Sequence, residues 1–283
     1  MTIAAHIDGG LAVHPLAVRF GARIEGVDLS ALDDDTLAAV EAALVQYKVL
    51  FFAGQRWTAA QQVAFARRLG DLHRHPVFDR HRDADELVVF AYDETRRGAN
   101  DTWHSDVSFV AEPVKYSILH AEEIPPLGGD TLWLDAEAAY DGLSAFLKDF
   151  LGNLTSEHFF FKNPTPDALA RLLAEGDADA RTAAFGPVVH PLVRTHPVNG
   201  RRSLYVSRAF TTRIPELTPI ESDHVLRLLF EHLDKPEFHL RWQWQADTVA
   251  IWDNRSTQHL AVSDYFPARR RVRRAAVLGE RPR

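Results

Sequence analysis

The segment 270–278 constrains the fold of this chain most, because it combines a strand-like apolar pattern with regularly spaced arginines. Side chains alternate between two faces along a strand, so Arg270 and Arg274 should point to the same side. If that side is a cavity, two guanidinium groups enter it, where they could bind carboxylates or sulfonates through paired hydrogen bonds. The arginines of the opposite face are predicted to be solvated: Arg269, Arg271 and Arg273.

An arginine-rich run also has a simpler interpretation, as a solvated basic surface or a nucleic-acid-binding patch. The apolar residues 275–278 favour a strand that enters a core. The formal net charge of −7 disfavours nucleic acid as the main partner. We therefore expect no nucleic-acid partner.

The composition is that of a globular protein, with 46% hydrophobic and 25% charged residues among 283. There is no cysteine, so a metal site would have to use His, Asp or Glu. No segment reaches the roughly 18 apolar residues of a membrane helix, and the N-terminus does not resemble a signal peptide. We expect a single domain over residues 1–283, in the cytoplasm and without a membrane partner.

Short strands dominate the second half of the chain, and helices occur in the first half and in insertions. The spacing of apolar residues and the capping boxes at Thr58 and Thr218 predict helices at 36–48, 58–69, 136–150, 163–186 and 218–233. Strands are predicted at 18–20, 22–29, 49–52, 87–91, 114–122, 130–134, 188–195, 204–206, 210–214 and 270–278. Segments 238–245 and 248–252 should pair as a hairpin. This pattern favours a β barrel or sandwich flanked by helices.

A metal site can be built from His104, Asp106 and His259. His104 and Asp106 are two positions apart, so on an extended segment they face the same way. Two histidines and one carboxylate can occupy one face of an octahedral iron(II) ion and leave positions open, although zinc could use the same ligands. Thr131 begins a strand after two glycines, where its hydroxyl can donate to a carboxylate; good strand propensity is the simpler reason for a threonine there.

Five segments carry a resemblance to the taurine dioxygenase branch of the iron(II)/2-oxoglutarate-dependent dioxygenases. They are GDLHRHPVF (70–78), NDTWHSDVSF (100–109), GGDTLW (128–133), FTTRI (210–214) and a C-terminal region in two pieces, 235–259 and 264–282. The resemblance implies a mainly β chain with flanking helices around a double-stranded β-helix (jelly-roll, cupin-like) core. It also implies iron(II), with 2-oxoglutarate and O2 as co-substrates, and a homo-oligomer, either a dimer or a tetramer.

The resemblance assigns roles to individual residues. His104, Asp106 and His259 match the iron ligands, and Arg270 and Thr131 match the residues that bind the distal carboxylate of 2-oxoglutarate. Arg274 matches the arginine that holds the sulfonate of the substrate. Other residues match the substrate pocket: His75, Phe78, Asn100, Phe160 and Phe210. Without the resemblance, His75 would be a solvent-facing loop histidine, and the phenylalanines would be core aromatics.

The implied reaction oxygenates taurine or a related sulfonate at the carbon bearing sulfur and releases sulfite and an aldehyde, with succinate and CO2. Phe78 stands where a tyrosine is expected and Ala99 where an acidic residue is expected, both at the amine end of the pocket. An alkylsulfatase or an aryloxyalkanoate-type dioxygenase is the alternative within this chemistry. A zinc hydrolase and an inactive binding protein are the alternatives outside it. Residues 160–186 are a candidate lid over the site.

Overall fold

The computed structural model describes residues 6–8, 10–75, 78, 80–98, 100–162 and 186–283. The predicted helix and lid at 160–186 therefore lie almost entirely outside the described residues. The helices are α1 (Asp34–Tyr47), α2 (Ala59–Arg68), α3 (Ala136–Asp141), α4 (Ala145–Leu151) and α5 (Pro219–Leu233). None of these described helices is both long and apolar enough to cross a membrane.

The described strands form two main sheets and two small ones. In chain order the first nine are β1 (His6–Asp8), β2 (Leu11–Pro15), β3 (Ala22–Glu25), β4 (Val49–Phe52), β5 (Arg80–His81), β6 (Ala84–Tyr92), β7 (Val114–Glu123), β8 (Thr131–Asp135) and β9 (Thr155–His158). The others are β10 (Val188–Pro191), β11 (Val193–Thr195), β12 (Arg202–Leu204), β13 (Thr211–Arg213), β14 (His239–Trp242), β15 (Val249–Asp253), β16 (Thr257–Ala261) and β17 (Arg270–Leu278). The large sheet has the order β1-β2-β3-β4-β15-β7-β17-β6-β5, and the facing sheet has the order β14-β8-β16.

The two main sheets pack face to face through aromatic side chains. Phe51 of β4 lies 5.3 Å from Trp133 of β8, and Trp133 lies 5.6 Å from Trp252 of β15, measured between ring centroids. Leu50 and Phe52, the neighbours of Phe51, are buried on the other face of the large sheet against α1 and α2. The result is the predicted mainly β, jelly-roll fold with flanking helices.

Two helices begin at the capping boxes that the sequence predicts. Thr58 and Thr218 both form capping boxes, with Gln61 and Glu221 as the third helical residues. The predicted helix 136–150 is wrong as a single element, because Ser144 caps a second helix by accepting from the Leu147 N–H at 3.3 Å. The chain therefore ends one helix at Asp141 and begins another at Ala145.

The predicted hairpin of 238–245 with 248–252 is also wrong. Strand β14 pairs with β8 of the facing sheet, whereas β15 pairs with β4 and β7 of the large sheet. The chain thus crosses from one sheet to the other between these strands. The predicted strand 188–195 is divided in the same way at Leu192, since β10 pairs with β9 and β11 pairs with β12. Residues 18–20 form a bend and not a strand.

The prediction that Arg273 is solvated is wrong. Its side chain is only 5% exposed and donates from all three nitrogens. Nε bonds Gln62 at 2.7 Å, Nη2 bonds the Trp57 carbonyl at 2.6 Å and Nη1 bonds Glu122 at 2.7 Å. Helix α2 covers this part of the sheet. The alternation of side chains along β17 could not predict this, because it does not show which elements pack on each face.

Candidate active site

His104 and His259 are held side by side by the backbone. Each residue's N–H donates to the other's carbonyl, at 3.1 and 2.8 Å, in an antiparallel bridge between the 103–106 segment and β16. The imidazole centroids are consequently 4.2 Å apart. The Nδ1–H of His104 donates to the Thr102 carbonyl at 2.8 Å, which leaves Nε2 with the lone pair.

Asp106 completes the cluster, as the sequence predicts. His104 Nε2 lies 3.8 Å from Asp106 Oδ1, and His259 Nε2 lies 3.9 Å from Asp106 Oδ2. Burial alone would raise the pKa of Asp106, but the Arg274 guanidinium and the two imidazoles outweigh it and hold that pKa well below its usual range. Burial also lowers the pKa of both imidazoles. The cluster therefore offers a carboxylate and two neutral imidazoles at neutral pH.

These three side chains fit a metal ion. One ligand atom from each lies within 4.8 Å of the others. The separations are too long for hydrogen bonds but suit two bonds of about 2 Å to one shared ion. Two nitrogen donors and one oxygen donor would occupy one face of a bound ion. The other coordination positions of the ion would stay open, which suits iron(II) chemistry.

A network of polar side chains behind the cluster orients the carboxylate of Asp106. The sequence did not predict this network. The Ser117 hydroxyl donates to Asp106 Oδ2 at 2.7 Å and accepts from Asn254 Nδ2 at 2.9 Å. Asn254 Oδ1 also accepts from the Asp106 N–H at 3.2 Å and from Trp252 Nε1 at 3.0 Å. Ser117 and Trp252 are paired neighbours on β7 and β15, a register that no sequence pattern indicates.

Arg270 and Thr131 line the same cavity as the two histidines. Arg270 is 4% exposed, its Nε is buried without a partner, and no carboxylate among the described residues pairs with it. Burial lowers the pKa of its guanidinium, which nevertheless stays protonated at neutral pH. The Tyr265 ring lies 5.9 Å from its Cζ. A buried cation of this kind favours an anion in the cavity.

Arg274 lies four residues after Arg270 on β17, and its side chain points to the same face of the strand. Its Nη1 contacts Asp106 Oδ1, and its guanidinium lies 5.2 Å from the Phe90 ring centroid. Both predicted arginines therefore point into the interior of the fold, as their shared parity predicts. Asn100 lines the cavity too, and its carbonyl accepts from the Ala261 N–H at 2.8 Å.

The predicted aromatic substrate residues form a wall together with Phe109, and we define this aromatic wall as His75, Phe78, Phe109, Phe160 and Phe210. The Phe78 ring stacks on His75 at 4.3 Å, and Phe210 lies 5.9 Å from His104. Phe109, missed in the sequence, links them at 4.7 Å from Phe160 and 4.9 Å from Phe210.

His75 is 2% exposed, so the solvent-facing interpretation is wrong. Burial, followed by the Arg274 charge, lowers its pKa well below the usual value. The Phe78 N–H donates to His75 Nδ1 at 3.3 Å, so the proton of the neutral ring lies on Nε2. Ala99 lies outside the described residues.

A jelly roll with a His-Asp-His cluster beside a cavity that contains a buried arginine has the features of an iron(II)- and 2-oxoglutarate-dependent dioxygenase. The family model described as "Taurine catabolism dioxygenase TauD, TfdA family" matches residues 12–276, and the chain belongs to that family. Family membership and the cluster together confirm the predicted need for Fe(II), 2-oxoglutarate and O2.

Known proteins similar to this chain differ in their substrates. An alpha-ketoglutarate-dependent sulfate ester dioxygenase of Pseudomonas putida is 39% identical over 96% of this chain and 91% of its own length. An alkylsulfatase of Acinetobacter baylyi is 36% identical over 95% of this chain and 86% of its own length. The crystal structure of a taurine dioxygenase from Burkholderia xenovorans superposes with a TM-score of 0.82 at 38% identity, covering 96% of this chain and 90% of that chain.

Proposed function

We propose that this dioxygenase oxygenates alkyl sulfate esters at the carbon bearing the ester oxygen. The observation that carries the proposal is the aromatic wall, in which Phe210 lies 5.9 Å from His104 and the pKa of His75 is lowered by the charge of Arg274. An aromatic wall favours an apolar carbon chain, whereas an ammonium group buried there would need an anionic partner. The similarity to a sulfate ester dioxygenase and an alkylsulfatase supports the same substrate class.

In this proposal His104, Asp106 and His259 hold the iron, which with 2-oxoglutarate and O2 supplies the oxidising chemistry. Arg270 and Thr131 bind the distal carboxylate of 2-oxoglutarate. Arg274 and the Nε2–H of His75 hold the sulfate group, because a guanidinium and a neutral imidazole donor both suit a sulfate oxygen. The aromatic wall orients the chain and excludes water from the reacting carbon.

The products follow from where the oxygen atom is placed. One oxygen atom of O2 enters the C–H bond beside the ester oxygen, and the other enters succinate as 2-oxoglutarate loses CO2. The hydroxylated carbon then carries both a hydroxyl and a sulfate, and its collapse breaks the carbon–oxygen bond to sulfate. The hydroxyl proton leaves with hydrogen sulfate, and the carbon becomes an aldehyde.

Alkylsulfonates, including taurine, are the second candidate substrates. The similarity to a taurine dioxygenase structure favours them, and Arg274 suits a sulfonate as well as a sulfate. Oxygenation at the carbon bearing sulfur would release sulfite and an aldehyde. The missing tyrosine hydroxyl at Phe78 weakens the case for an amine-bearing substrate.

The test compares hexyl sulfate, hexanesulfonate and taurine, with Fe(II), ascorbate, O2 and 2-oxoglutarate in each assay. Sulfate, sulfite and succinate are measured together, and phenoxyacetate serves as a sulfur-free acid. Sulfate released from hexyl sulfate in step with succinate, at the highest kcat/KM of the set, supports the proposal. A higher kcat/KM for hexanesulfonate, taurine or phenoxyacetate would overturn it.

A further inference from the structure

Trp244 makes a buried hydrogen bond to Thr131 inside the cavity. Its Nε1–H donates to Thr131 Oγ1 at 2.9 Å, and the two residues are 5% and 4% exposed. Both line the cavity that also contains Arg270, His104 and His259. The contact therefore links Trp244, which has no role assigned so far, to Thr131 of the proposed 2-oxoglutarate site.

The direction of this bond fixes what Thr131 can do. An indole N–H can only donate, whereas a hydroxyl has one proton and two acceptor lone pairs. Because Trp244 uses a lone pair of Thr131, the hydroxyl proton must point elsewhere. No acceptor among the described residues takes that proton. Trp244 thus makes the threonine a donor towards the cavity, which is the role that a carboxylate ligand requires.

The surroundings of Trp244 make the arrangement rigid. The indole packs 6.1 Å from Trp133 in the buried aromatic layer between the two sheets. Thr131 is paired on both sides, with Trp242 of β14 and Ala261 of β16. A donor held in place before binding loses less conformational entropy when its ligand arrives.

We propose that Trp244 is a positioning residue for 2-oxoglutarate, which it orients indirectly by directing the Thr131 hydroxyl at the distal carboxylate. The inference rests on the proposed function of Thr131 and Arg270. The only polar atom of the Trp244 side chain, Nε1, is bonded to Thr131, so Trp244 would act on the co-substrate carboxylate through the threonine.

The first experiment compares Trp244→Phe with Trp242→Phe. Trp242 is the matched control, because it ends β14 only two residues before Trp244, stacks on Phe51 at 3.8 Å, and its buried Nε1 has no partner among the described residues. N-oxalylglycine is titrated calorimetrically into the manganese(II)-loaded protein. Loss of one neutral hydrogen bond should weaken binding about three- to tenfold in Trp244→Phe. Trp242→Phe should bind as the wild type does.

A double-mutant cycle with Thr131→Val tests whether Trp244 acts through the threonine. If it does, Trp244→Phe weakens binding in the wild type but adds no further loss in the Thr131→Val background. Turnover should agree, with KM for 2-oxoglutarate raised and kcat nearly unchanged. An equal loss in both backgrounds, or no loss in either, overturns the proposal.

A third measurement does not depend on the stability of the tryptophan variant. Hydrogen exchange of the indole N–H groups is followed by nuclear magnetic resonance in the wild type and in Thr131→Val. One slowly exchanging indole proton should become faster in Thr131→Val, and an unchanged set of indole protons overturns the inference. Wild-type protein that fails to bind N-oxalylglycine overturns the proposed function itself, whereas binding that is indifferent to Trp244 overturns only this inference.

Discussion

Replacing Arg270 by methionine should greatly weaken the binding of 2-oxoglutarate without lowering the stability of the protein. Arg270 is a buried cation that no described carboxylate balances. Burying an uncompensated charge costs several kcal/mol, and hydrophobic replacement of buried ionic groups is often neutral or stabilising. We expect Arg270→Met to leave the free energy of unfolding unchanged or to raise it by up to about 3 kcal/mol.

The same change should be severe for the co-substrate. Removing one partner of a buried ion pair costs about 3–5 kcal/mol, because the remaining charge is left without its counterpart. This cost corresponds to an affinity for 2-oxoglutarate that is about 100- to several thousand-fold weaker. The assay measures KM for 2-oxoglutarate by succinate formation, and urea unfolding without co-substrate gives the stability.

Arg273→Met is the matched control, since it removes an arginine of the same strand whose nitrogens all have protein partners. It should lower the free energy of unfolding by about 3–5 kcal/mol and leave the affinity for 2-oxoglutarate within about threefold of wild type. The reasoning is refuted if Arg270→Met destabilises the protein as much as Arg273→Met does. It is equally refuted if Arg270→Met keeps a wild-type KM for 2-oxoglutarate.

Three further predictions concern other parts of the molecule. Ser117→Ala removes the donor to Asp106 and should weaken iron(II) binding about 10- to 100-fold in an anaerobic titration; a change below twofold would contradict this. Phe210→Ala opens the aromatic wall and should raise KM for hexyl sulfate about tenfold or more, whereas an altered KM for 2-oxoglutarate would place the ring elsewhere. Burial lowers the pKa of His158 to about 3 and of His190 to about 4, so below about pH 6.5 the unfolded chain binds protons that the folded chain does not. The free energy of unfolding should therefore be level above about pH 7 and fall by up to about 1.4 kcal/mol per pH unit per histidine below pH 6.5; equal stability in urea at pH 7.5 and pH 5 would refute it.

The sequence predicted the local elements of the fold better than their pairing. The capping boxes at Thr58 and Thr218 identified two helix starts, because capping depends on residues only three positions apart. Alternation along 270–278 correctly aimed Arg270 and Arg274 at the interior. It could not reveal that helix α2 covers Arg273, nor that β14 and β15 belong to different sheets, because periodicity defines faces and not partners.

The site shows the same division. The metal cluster could be predicted, because the motif residues resemble a known family and because His104 and Asp106 share a face. The Trp244–Thr131 and Ser117–Asp106 contacts could not, since each joins two strands or segments whose register only the folded sheet defines. Tryptophan and serine are also common core and strand residues, so their types alone give no functional signal.

Succinate formation by wild-type protein and by Asp106→Ala tests the central claim most directly. Both proteins would be assayed with iron(II), O2, 2-oxoglutarate and hexyl sulfate, after equal thermal stability had been checked. The account predicts one succinate per sulfate released by the wild type and a rate at least about 100-fold lower in Asp106→Ala. Wild-type rates from Asp106→Ala, or no substrate-dependent succinate from the wild type, would contradict it.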